Sequence, residues 1–189
     1  MGSPGPRGQL AMSMMSMMSV NASHAAAIFV AVMASVSDVR TARIPNVLTF
    51  GAAAAALVYL SGIHGWSGLA GAGEGWIVGV LLFLPFFALG GLGAGDVKLL
   101  GAIGAWLGPH EVLWVAMYAS LAGGVMALMV ALATGYLGQA VANLRLLFTH
   151  WWVVGIRPLP ELTLKNGHAP KLAYAVPITA GLLVMLWLQ

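Results

Sequence analysis

Val97-Lys-Leu-Leu-Gly-Ala-Ile-Gly-Ala-Trp-Leu-Gly-Pro-His-Glu111 opens an apolar stretch that runs on to Tyr136, 40 residues in all. As one helix, at about 1.5 Å per residue, it would reach about 60 Å, twice the hydrocarbon thickness of a bilayer. Gly108-Pro109-His110-Glu111 divides it into a short fourth helix, 97–107, and a longer fifth that ends near Tyr136. Since a spanning helix needs about 20 apolar residues, further spans fall at 17–37, 46–63, 69–92 and 172–188. The expected fold is therefore all-α, a polytopic membrane domain of six helices over residues 17–189, preceded by a disordered tail at 1–16.

Composition agrees. The chain of 189 residues is 60% hydrophobic and 7% charged, whereas soluble domains carry roughly 25% charged residues. Five acids and eight bases cannot cover a water-exposed surface. With no cysteine, a disulfide framework and a thiolate metal site are both excluded. The five histidines include no pair at ligand spacing on one helix, so no zinc site is expected.

The fourth helix is too short to span unaided, and the bases supply a test of it. If it crosses, Arg40, Arg43, Lys98, Arg145, Arg157, Lys165 and Lys171 share one side and only Arg7 takes the other. That is the asymmetry expected of a cytoplasmic face, and it collapses if the fourth helix does not cross. Both termini are then outside. In the 137–169 segment, Asn143-Leu-Arg-Leu-Leu-Phe-Thr-His-Trp-Trp-Val-Val154 reads equally as an interfacial helix or as an extension of the fifth helix with a tryptophan belt, before Pro158-Leu-Pro160 breaks it. Gly101, Gly104, Gly123 and Gly124 suggest close helix packing.

Only two aspartates exist, Asp38 and Asp96, each at the end of an apolar span. Two crossings separate them, so both belong at the same membrane boundary. Ionisable groups near lipid are costly and are functional candidates by default. Asp38 lies in Asp38-Val-Arg-Thr-Ala-Arg-Ile-Pro-Asn46, where Pro45 sets the turn into the second helix. Asp96 lies in Gly90-Gly-Leu-Gly-Ala-Gly-Asp-Val-Lys-Leu-Leu100, whose glycines permit positive φ and close approach of an extended peptide. Facing carboxylates that share a proton, with split pKa values, can hydrolyse a peptide bond. Plainer roles stay open for each alone: Asp96 as the N-cap of the fourth helix, Asp38 as a partner of Arg40 or Arg43. Lys98, two residues after Asp96, is either an interfacial anchor or a group that tunes the carboxylate or contacts substrate. Glu74, Glu111 and Glu161 lie away from the pair and take no catalytic role.

Gly93-Ala94-Gly95-Asp96 resembles the Gly-x-Gly-Asp motif of intramembrane aspartyl proteases. Together with Asp38 and Arg43-Ile-Pro-Asn46, about 50 residues upstream, it is similar to the type IV prepilin peptidase family. The resemblance implies that Asp38 and Asp96 are catalytic, with Gly93, Gly95, Lys98, Arg43, Pro45 and Asn46 as supporting motif residues. It implies cleavage of the basic leader from a prepilin at the cytoplasmic face of the inner membrane, with the prepilin and lipid as partners and no cofactor, metal or nucleic acid. Larger members add a Cys-x-x-Cys-bearing half that methylates the new N-terminus. This chain looks like the short peptidase-only branch of tight-adherence (Flp) pilus systems, to which archaeal preflagellin peptidases are related. Lys171-Leu-Ala-Tyr-Ala-Val-Pro177 resembles the family's lead-in to its last helix, with Ala173 where a proline is common. A proton-coupled transporter and a non-catalytic pilus-assembly scaffold are the rival classes.

Overall fold

A computed structural model describes residues 6–155 and 172–188. Its elements are α1 (Pro6–Thr41), α2 (Asn46–Ala88), α3 (Ala94–Leu107), α4 (Pro109–Ala133), α5 (Leu137–Val154) and α6 (Ala175–Leu188), with no strand among the described residues. Among the described residues, three helices are long and apolar enough to cross a membrane: Met17–Thr41 within α1, α2, and α4. Residues 1–5, the Pro158-Leu-Pro160 break, Glu161, Arg157, Lys165 and Lys171 lie outside the described residues.

Helix α2 spans 43 residues but is not straight, because Gly65 takes φ 62° and ψ −137°. A Cβ on Gly68 would strike the Leu60 carbonyl, eight residues back, which a straight helix would carry about 12 Å away. The packing partners show the same reversal. Asn46 bonds to Lys98 near the start of α3, and Tyr59 meets Trp106 near its end. Beyond Gly65 the order inverts: Gly75 abuts Gly104, and Gly79 abuts Leu100 and Gly101. One arm of α2 thus runs parallel to α3 and the other antiparallel. The separate helices expected at 46–63 and 69–92 correspond to these two arms.

Several boundaries differ from expectation. The tail expected at 1–16 is helical from Pro6, and its alanine, leucine, glutamine and methionine are strong helix formers. The second arm of α2 ends at Ala88 instead of 92, because Gly90 takes φ 79°. Gly91 N–H then donates to the Phe86 carbonyl and Gly90 N–H to that of Phe87, both at 2.9 Å, which closes the helix in a Schellman motif. Helix α3 starts at Ala94, three residues before 97. Helix α4 stops at Ala133 and Gly135 turns the chain at φ 69°, so α5 is a separate helix and not an extension of the one before it. Helix α6 starts at Ala175, after a non-helical lead-in.

Helix α3 is the centre of the bundle. It packs against both arms of α2, α1 and α4, and Val97, Leu99, Leu100, Ala102, Ile103 and Ala105 are buried. At 14 residues it reaches about 21 Å, less than the hydrocarbon thickness, and it is enclosed by protein on several sides. Small residues permit that enclosure. A Cβ on Gly75 would overlap the Gly104 carbonyl, and one on Gly104 the Gly75 carbonyl. Gly123 fits against Tyr174 and Gly181 against the Val115–Ala119 backbone, whereas Gly124 faces open space and seals nothing. Polar contacts add to this between α1 and α6: Thr179 Oγ1 lies 2.7 Å from Ser35 Oγ and 3.0 Å from the Ala31 carbonyl oxygen.

Candidate active site

Asp38 occupies the last turn of α1, where its carbonyl accepts the Ala42 N–H at 2.8 Å. Ala42 lies in the left-handed region at φ 51°, and this 5→1 bond ends the helix in an αL motif. The hydroxyls of Ser37 and Thr41 donate to the Arg43 carbonyl at 2.9 and 3.1 Å. They fasten the connection that leads through Ile44 and Pro45 into α2. The Asp38 carboxylate itself reaches across the bundle: Oδ2 accepts the Ala175 N–H at the first turn of α6, at 3.3 Å. Among the described residues neither Arg40 nor Arg43 forms an ion pair with Asp38, so the plainer role for Asp38 is not what the structure displays.

Asp96 is the third residue of α3, not its N-cap; Gly93 is the cap. The two are joined reciprocally. Gly93 N–H donates to Asp96 Oδ2 at 3.1 Å, and Asp96 N–H donates to the Gly93 carbonyl at 3.2 Å. Asp96 is 8% exposed. The glycines around it act through size more than through φ, since Gly93 has φ −80° and only Gly90 of this run is positive. A Cβ on Gly93 would come 3.0 Å from the Asp96 carboxylate, and one on Gly95 would press 3.2 Å from Ile44 Cβ. Lys98 Nζ donates to Asn46 Oδ1 at 2.9 Å and lies 5.3 Å from the Phe50 ring centroid, so it ties the start of α2 to α3 and forms no ion pair with either aspartate.

These elements enclose one open cavity of about 850 Å³. Asp38, Arg43, Pro45, Asn46, Gly93, Gly95, Asp96 and Lys98 all line it, joined by Leu172 and Ala173 from the lead-in to α6. Each aspartate has one oxygen held by a backbone N–H and the other without a hydrogen bond among the described residues. Two carboxylates on one open cavity, each half-satisfied, can hold a water and exchange a proton with it. Glu111 stands at the opposite end of α3, bonded to His24 at 3.1 Å.

Sequence reading missed the part played by Tyr174 and Ala175. The signal was present in the Lys171–Pro177 lead-in, but a backbone N–H that serves a residue 137 positions away leaves no mark on residue type.

Two acids thus share one open cavity in a helical bundle with membrane-length helices. The chain matches the model of the type IV leader peptidase family over residues 25–128 and belongs to that family. The matched segment contains both aspartates; α5 and α6 follow it. No curated protein and no solved structure matches the chain.

Proposed function

We propose that this protein is an aspartic endopeptidase of the bacterial inner membrane that removes the basic leader from type IV, Flp-like prepilins. The observation that carries the reading is the convergence of Asp38 and Asp96, from helices α1 and α3, on one open cavity together with the motif residues around them. In the reaction, one ionised aspartate takes a proton from water as the oxygen attacks the scissile carbonyl. The protonated partner donates to that carbonyl oxygen, and the proton gained by the first passes to the leaving amine.

The membrane arrangement proposed with it has six crossings. The two arms of α2 count separately, and α3 and α6 complete the set with α1 and α4. Supporting this, the arms run about 28 and 34 Å, near the thickness of the hydrocarbon core. The cavity then opens to the cytoplasm, beside Arg40, Arg43 and Lys98, and both termini are outside.

Co-expression with a candidate prepilin, with the pilin N-terminus read by mass spectrometry, tests the reading. Wild type is expected to remove the leader, and Asp38→Asn and Asp96→Asn to insert normally and remove none. Processing by both variants would sink the two-aspartate mechanism and favour an assembly scaffold.

A further inference from the structure

Tyr174 stands where the two aspartate-bearing helices, α4 and the start of α6 come together, and nothing in the two-carboxylate chemistry yet uses it. Its ring meets Phe83, on the second arm of α2, edge to face at 5.9 Å between centroids. On its other side it fills the space left by Gly123: a Cβ there would come 2.6 Å from the phenol oxygen and 2.7 Å from Cε2. The residue that follows is Ala175, whose N–H holds Asp38 Oδ2. The two that precede it, Leu172 and Ala173, are wall of the cavity.

Each contact constrains a different freedom. Edge-to-face packing on Phe83 sets the ring's tilt. The bare α-carbon of Gly123 lets the ring lie flush against α4. With the ring fixed at residue 174, the peptide that carries the Ala175 N–H has no slack, so the donor to Asp38 stays in place. One turn further on, Thr179 fastens α6 to α1 through Ser35 and the Ala31 carbonyl. The start of α6 is therefore pinned at both ends of the stretch that serves Asp38.

We propose that Tyr174 is a positioning residue of the active site: its ring anchors the lead-in to α6 so that the Ala175 N–H holds Asp38. This rests on the reading of Asp38 and Asp96 as the catalytic pair. Tyr174 itself touches neither water nor peptide in the scheme. It keeps the Asp38 carboxylate where the start of α6 can hold it.

Because the chain has only two aspartates, protein labelled with 13C at the aspartate γ-carbon reports on the pair alone, and Asp96→Asn assigns the two signals. In detergent-solubilised protein, Tyr174→Phe keeps the ring and removes the hydroxyl. It is expected to leave both signals and their titrations in place. Tyr174→Leu, which loses the ring, is expected to displace the Asp38 signal. Arg43 and Lys98, the other charged groups on the cavity, are unchanged in either variant. A folded Leu variant whose Asp38 signal and titration superimpose on wild type would overturn the proposal, and so would a Phe variant that displaces the Asp38 signal, which would assign the effect to the hydroxyl and not the ring. In the cleavage assay the Leu variant is expected to lose kcat by about 100-fold, as for a misplaced catalytic group, with KM little changed, and the Phe variant to keep the wild-type kcat. An inactive wild type, or an Asp96→Asn that still cleaves, would count against the catalytic reading, and the labelled-aspartate spectra would still decide the role of Tyr174.

Discussion

Ala42 carries the sharpest backbone constraint near the candidate site. It adopts φ 51° one residue before Arg43, a conformation that costs an L-residue roughly 1–2 kcal/mol and glycine almost nothing. Ala42→Gly is therefore expected to stabilise the protein by about 1 kcal/mol, read as a higher unfolding midpoint in detergent. An unchanged or lower midpoint would mean that the turn after α1 relaxes around the alanine. The aspartates were the most legible residues of the chain. Acids are scarce in it, and each stands in a short polar interruption between apolar spans. What residue type could not convey was how each carboxylate is held. Asp96 reads as an N-cap on its preceding glycines, yet the chain enters α3 three residues sooner, so the side chain bends back to Gly93. Tyr174 was still less legible, because its role needs Phe83 and Gly123, which are distant in sequence and close only in the folded bundle.

At the scale of elements, the seam between the second arm of α2 and α3 depends on missing side chains. Gly75 and Gly104 place backbone against backbone, and neither neighbour can yield. Gly75→Ala is expected to cost about 1–3 kcal/mol, the usual range for overpacking. Gly73→Ala, on the same arm with nothing within 4 Å, is expected to be neutral or slightly stabilising through helix propensity. Chemical unfolding of the two variants in detergent makes the comparison, and equal effects would refute the seam. The helices were legible as apolar runs, and Gly108-Pro109 marked the α3–α4 junction correctly: Gly108 has φ 86° and Pro109 opens α4. Helix ends were less so. A run of apolar residues continues past Ala88, and only the positive φ of Gly90 ends the helix there.

For the whole molecule, the prediction concerns sidedness. The chain has no cysteine, so single cysteines can be placed without a background. Gly91→Cys lies in the α2–α3 connection beside the cavity, and His110→Cys lies at the far end of α3, where α4 begins; both positions are exposed. In intact cells an impermeant maleimide is expected to label His110→Cys and to label Gly91→Cys only after permeabilisation. The opposite pattern would invert the proposed orientation, and labelling of both from outside would refute a six-crossing arrangement.

The brevity of α3 bears on how such a chain is made. A segment of 14 residues that carries Asp96 and Lys98 in its first two turns is a poor partner for lipid by itself, since each charge near the bilayer is costly and about 20 residues are needed to span. Its shelter is α2, from which only five residues, 89–93, separate it. During synthesis both arms of α2 therefore emerge before the helix they cover. The order of elements along the chain thus doubles as an assembly schedule, in which the acid-bearing helix follows the larger part of its enclosure and α4 and α6 are added afterwards.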